Sequence, residues 1–110
     1  AMMDELTKSE DALASWLKSK SKTIKSLVKL QGDASTRKYY RIQTAEKSYI
    51  LMQMESFADQ GMSLPFLTIQ KHLTMSGIDV PQVLDMDPER GLILLEDLGD
   101  VTLLRLLQGV

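Results

Sequence analysis

Gly32, Asp33 and Ser35 lie immediately before three basic residues, Arg37, Lys38 and Arg41. Gly32 accepts backbone angles closed to other residues, and the Asp33 and Ser35 side chains can bond nearby main-chain amides. A turn of this kind leaves amides pointing outward, and cations close behind it would reinforce their attraction for an anion such as a phosphate group. The same residues also fit an ordinary hairpin tip with solvated charges. Short turn motifs alone do not separate the two.

The elements that must position this turn are legible around it. Thr7 and Glu10 have capping-box spacing, and Ala12, Leu13, Trp16 and Leu17 follow as an apolar stripe, which predicts a helix over 8–20. Lys18, Lys20 and Lys22 fall near its carboxyl end, where cations suit the helix dipole. Strand-like runs cover 24–31, 37–44 and 48–54, the last two joined at Ala45-Glu46-Lys47 as an antiparallel hairpin. Residues 55–62 read as a polar loop. Ser63 is placed to cap a helix over 63–76 with Pro65 in its first turn and Gly77 at its end. Met62, Phe66, Ile69 and Leu73 would be its apolar face, and His72 lies off that stripe. Two strands flank a tight turn at Asp87-Pro88-Glu89-Arg90-Gly91, and Asp100 or Thr102 can cap a final helix bearing Leu103, Leu104, Leu106 and Leu107. The class is α+β.

Composition bounds the function. A chain of 110 residues forms one domain at most, and 44% hydrophobic with 25% charged residues is the balance of a soluble globular protein. A net charge of −2 argues against a general nucleic-acid binder. No apolar run approaches the roughly 18 residues of a membrane span. The start, Ala1-Met2-Met3-Asp4-Glu5, does not read as a signal peptide, and Ala1 reads as a tag residue. With no cysteine and one histidine, neither a disulfide framework nor a structural zinc site is expected, which suits a cytoplasmic protein.

The order of these elements, with the Gly32-Asp33-Ala34-Ser35-x-Arg37-x-Tyr39-x-Arg41 run and the Leu94-Leu95-Glu96-Asp97-Leu98-Gly99 run, resembles the amino-terminal lobe of the aminoglycoside-phosphotransferase-like kinases. It looks closest to the bacterial branch that phosphorylates cell-wall amino sugars, the N-acetylmuramate/N-acetylglucosamine kinase type. The resemblance runs from about Trp16 to the end. It implies a protein-kinase-like small lobe: a five-stranded antiparallel sheet with one packed helix, plus amino- and carboxyl-terminal helices. The implied division is 1–22 for the tag residue and first helix, 23–99 for the lobe, and 100–110 for the start of a truncated second lobe.

ATP with Mg2+ and a small hydroxylated acceptor, an amino sugar, are the implied partners, with no nucleic acid and no membrane. By the resemblance Gly32, Asp33, Ala34, Ser35, Thr36 and Arg37 form the phosphate loop, and Glu96, Asp97 and Leu98 the hinge that pairs with adenine through its backbone. The loop is neither a Walker A motif nor the three-glycine loop of protein kinases. The third strand of such lobes carries a phosphate-binding lysine, yet Met52 stands there, and the 63–76 helix has no glutamate to pair with it.

If the hairpin closes through Ala45-Glu46-Lys47, then Ile42 faces Ile50, Tyr40 faces Met52 and Lys38 faces Met54. Lys38 would then replace the absent lysine, Ile42 and Ile50 would roof the adenine beside Met52, and Arg41 would lie on the far face. A shift of one residue would make Arg37 the better candidate. Catalytic and metal-binding residues belong to a second lobe, so the chain alone is expected to be inactive, and its unpartnered leucines are expected to drive self-association. Other readings are a kinase lobe for aminoglycosides or another small molecule, or a non-catalytic pseudokinase module.

Overall fold

The structure, a computed structural model, describes residues 12–20, 22–30 and 37–108. A helix occupies residues 12–19 (α1), followed by β1 (Ile24–Leu30), β2 (Lys38–Thr44) and β3 (Ser48–Gln53). A short 3-10 turn, Gly61–Ser63, leads into α2 (Pro65–Met75), and then come β4 (Val83–Asp87), β5 (Leu92–Glu96) and α3 (Asp100–Gln108). The five strands form one antiparallel sheet in the order β1-β2-β3-β5-β4. The α+β class and the five-stranded antiparallel sheet are as the sequence predicts.

The packed helix α2 and the two terminal helices, α1 and α3, cover both faces of the sheet. On the first face Leu13, Trp16 and Leu17 of α1 bury against Tyr40, Ile42, Leu51, Leu92 and Leu94. On the second, Phe66 and Leu67 of α2 and Leu103 and Leu106 of α3 join Tyr39, Ile50, Met52, Ile93 and Leu95. Neighbouring strand residues point to opposite faces, so a sheet buried on both sides has runs of consecutive apolar residues. Tyr39-Tyr40, Ile50-Leu51-Met52 and Leu92-Ile93-Leu94-Leu95 are those runs, all buried.

The β2–β3 register differs by one residue from the expected one. Tyr39 faces Met52, Arg41 faces Ile50 and Gln43 faces Ser48. The cause is a tighter turn than the three-residue connection assumed. Thr44 N–H donates to the Lys47 carbonyl at 2.9 Å. The Thr44 hydroxyl also accepts the Glu46 and Lys47 amides at 3.3 and 3.1 Å. A threonine that gathers the amides ahead of it stabilises such a turn, and the shift sends every β2 side chain to the other face.

Helix α2 starts with Pro65 in its first turn, but Ser63 does not cap it: the Ser63 hydroxyl donates to the Gln60 carbonyl at 2.6 Å, inside the preceding turn. Met62 is 68% exposed and stands outside the apolar face, which is built on Phe66 and Leu67 with Leu73 half-buried. His72 is exposed, as expected. Three of the four leucines of helix α3 find partners within the chain, and Leu104 stays exposed. Leu103 and Leu106 enter the chain's own core and Leu107 packs beside them. Asp100 sits in the first turn, and its carboxylate meets Arg41. The Thr102 hydroxyl donates to the Gly99 carbonyl instead of accepting a helix amide. No helix among the described residues is long and apolar enough to cross a membrane.

Candidate nucleotide site

Alternation along the strands assigns Leu30 of β1, Tyr39 and Arg41 of β2, and Ile50 and Met52 of β3 to the face that α2 and α3 cover. Helix α3 crosses below this face and leaves a slot of about 290 Å3, lined by Leu30, Tyr39, Asp100, Leu103 and Leu104. Its roof is the last residue of β1 and the second residue of β2; its floor is two leucines of α3. The volume is at the lower end of the range for small-molecule sites, and apolar walls with one carboxylate at the rim suit a flat, mostly apolar ring system.

From the middle of β2 a polar cluster ties the sheet to the segment that follows β5. Arg41 Nε donates to Asp97 Oδ2 at 2.8 Å and Arg41 Nη2 to Asp97 Oδ1 at 3.3 Å. The same Nη2 donates to Asp100 Oδ1 at 2.6 Å. Ser48 Oγ donates to Asp97 Oδ2 at 2.6 Å, and the Gly99 amide to Asp97 Oδ1 at 3.0 Å. The Asp97 side chain is only 9% exposed. Burial alone would raise its carboxyl, but the hydrogen bonds from Arg41, Ser48 and Gly99 outweigh that and hold it below the usual carboxylate value. The guanidinium of Arg41 is raised in turn, chiefly by its hydrogen bond to Asp97 and then by that to Asp100.

The expected site residues divide three ways. Gly32, Asp33, Ala34, Ser35 and Thr36 lie outside the described residues. Ile50 and Met52 are on the slot face, both wholly buried in the core that also takes in α2 and α3. Arg37 is half-buried and, by alternation, in phase with Tyr39. Lys38 and Ile42 are on the other face: Lys38 is exposed opposite Gln53, and Ile42 is buried against α1 opposite Tyr49. The shifted register removes the reason for pairing either with nucleotide, and it places Arg41 on the slot face rather than behind it. At the expected hinge, the Glu96 amide donates to the Gln82 carbonyl at 3.0 Å, while Glu96 Oε1 accepts the Gln82 amide at 3.1 Å. Asp97 turns its carboxylate inward to Arg41, and Leu98 is exposed.

Sequence reasoning missed Leu30, Tyr39, Asp100, Leu103 and Leu104 as slot residues. The Thr44 turn was the available signal for Tyr39, because it fixes which face β2 presents. Nothing local announces that α3 folds back beneath the sheet. Where the ion pair of a kinase lobe would stand, Met52 packs in the same apolar cluster as Phe66 and Leu67. Helix α2 is held instead by Gln70, whose Nε2 donates to the Pro81 carbonyl at 3.2 Å.

No family model and no solved structure matches the chain. Curated relatives do. The N-acetylmuramate/N-acetylglucosamine kinase of Pseudomonas aeruginosa is 36% identical over 81 residues, which cover 74% of this chain and 23% of that protein. The protein of the same name from Pseudomonas putida is 37% identical over 84 residues, 76% of this chain and 24% of the relative. That of Caulobacter vibrioides is 31% identical over 105 residues, 73% of this chain and 29% of the relative. The chain thus spans about a quarter of the length of the curated relatives it matches. By sequence the chain is a homologue of the amino-terminal part of the N-acetylmuramate/N-acetylglucosamine kinases.

Proposed function

We propose that the chain is the ATP-binding small lobe of a two-lobed phosphotransferase that acts on an amino sugar in the cytoplasm. The observation that carries this reading is the slot beneath a five-stranded sheet, set between Leu30 at the end of β1 and the helix α3 that follows β5. The adenine of ATP would lie between Leu30 and Tyr39 above and Leu103 and Leu104 below. Its phosphates would run toward Gly32, Asp33, Ala34, Ser35 and Thr36, with Arg37 rather than Lys38 as the nearby cation. ATP would supply the phosphoryl group, and this lobe's part is to bind and orient it.

Among the described residues no cluster of three or more His, Cys, Asp or Glu could hold a metal ion. The proposal assigns the Mg2+ ligands and the base to a second lobe, with residues 23–99 as the first lobe and 100–110 opening the second. Helix α3 would then serve both lobes, sealing the first while Leu98, Val101 and Leu104 stay exposed. The same exposed residues would give the isolated chain its tendency to self-associate. Met52, buried where a lysine is expected, favours a second reading as a non-catalytic module.

The deciding experiment compares the 110-residue chain with the longer protein that carries it, using ATP and either N-acetylmuramate or N-acetylglucosamine as acceptor. Phosphorylation by the longer protein and none by the chain is the expected result. Nucleotide binding without transfer to any amino sugar in the longer protein would favour the module.

A further inference from the structure

We propose that Arg41 is a positioning residue: it latches the roof of the slot to its hinge and its floor. This rests on the slot being the nucleotide site. Two stretches of chain more than fifty residues apart meet at this guanidinium. Arg41 itself belongs to β2, whose Tyr39 roofs the slot, while Asp97 is in the hinge and Asp100 lies on the slot's rim in the first turn of α3. The fork grips Asp97 with two nitrogens at 2.8 and 3.3 Å and reaches Asp100 at 2.6 Å. Ser48 of β3 holds the same Asp97 from the neighbouring strand at 2.6 Å. At the far end of α3, Arg105 Nη1 donates to the Asp79 carbonyl at 2.9 Å, so the floor helix is tied at both ends.

The height of the slot therefore depends on where Arg41 sets the start of α3. Only a planar fork can bond both oxygens of one carboxylate and a second carboxylate together. A lysine keeps the charge but not the geometry. A residue acting in this way changes how well the nucleotide is seated without touching the transferred group, so its loss should appear in KM for ATP and leave kcat nearly alone.

The latch is tested first in the nucleotide-free chain by amide hydrogen exchange. Arg41→Lys and Arg41→Gln should both speed exchange over 97–104 while the β3–β5 ladder keeps its protection. Asp100→Asn, which leaves the Asp97 grip in place, should have a smaller effect. In the longer enzyme Arg41→Lys should raise KM for ATP about tenfold, the loss of one charge-assisted hydrogen bond, with kcat within about twofold. Unchanged exchange in both Arg41 variants overturns the latch, and faster exchange with an unchanged KM overturns the positioning role. If the wild-type protein has no affinity for ATP, the nucleotide reading fails, and the exchange result still decides the latch by itself.

Discussion

Gly91 gives the sharpest test of the sheet's geometry, because two separable costs meet there. It ends the β4–β5 turn with φ at +68°, in the left-handed region. A Cβ added to it would lie 2.0 Å from the Met54 carbonyl oxygen and 2.7 Å from that of Glu55, both main-chain atoms that cannot turn away. The left-handed backbone costs a residue with a Cβ about 1–2 kcal/mol. Relieving the clash must move the turn away from β3. That breaks the bond from the Met54 amide to the Gly91 carbonyl, now 2.8 Å, and loosens the Phe57 amide on the Pro88 carbonyl, also 2.8 Å. Each such bond contributes about 1 kcal/mol. Gly91→Ala should therefore cost about 3 kcal/mol, or more than about 10 °C in Tm for a chain of this size. Gly77→Ala is the internal control. Gly77 has φ at +80° but nothing within 4 Å of the added Cβ, so only the conformational cost applies, about 1–2 kcal/mol. Urea unfolding of the two variants reads the difference directly. Equal destabilisation by both would refute the close approach of this turn to Met54.

Two further outcomes follow from the packing and the polar cluster. Leu106→Ala should lose about 2–5 kcal/mol in urea unfolding, because Leu106 is 0% exposed, whereas Leu104→Ala, at 55% exposed, should change stability by less than about 0.5 kcal/mol. The carboxyl of Asp97 lies below its ordinary 3.8 in the folded chain, so its contribution is fully present above that value and is lost as pH falls further, through the folded value. Acid unfolding of Asp97→Asn should accordingly show a shallower loss of stability below about pH 4 than the wild type.

Much of the architecture was legible because local chemistry and fold agree. Pro65, Gly77 and the Asp87–Gly91 turn mark element ends, and the strands carry tyrosine, isoleucine and leucine where the sheet needs them. The β2–β3 register was harder to read, since Tyr39-Tyr40 and Ile50-Leu51-Met52 are apolar on both faces and alternation has no polar side to count from. Only the Thr44 side chain distinguishes the tight turn from the looser one. The slot was hidden for another reason. Its floor comes from leucines some seventy residues along the chain from Leu30, and the burial of Leu103 against the chain's own sheet is a long-range outcome that no local pattern states. The inward turn of Asp97 belongs to the same class, for its partner Arg41 lies 56 positions away.

The central claim is that nucleotide enters the slot between β1, β2 and α3, and amide shift mapping of the chain titrated with ATP tests it most directly. The account predicts that shifts concentrate at Leu30, Tyr39, Asp97, Gly99, Asp100, Leu103 and Leu104, while Leu13, Trp16 and Leu17 on the α1 side stay unchanged. Shifts gathered on the α1 face around Lys38 and Ile42, or no shifts at millimolar ATP, would contradict it.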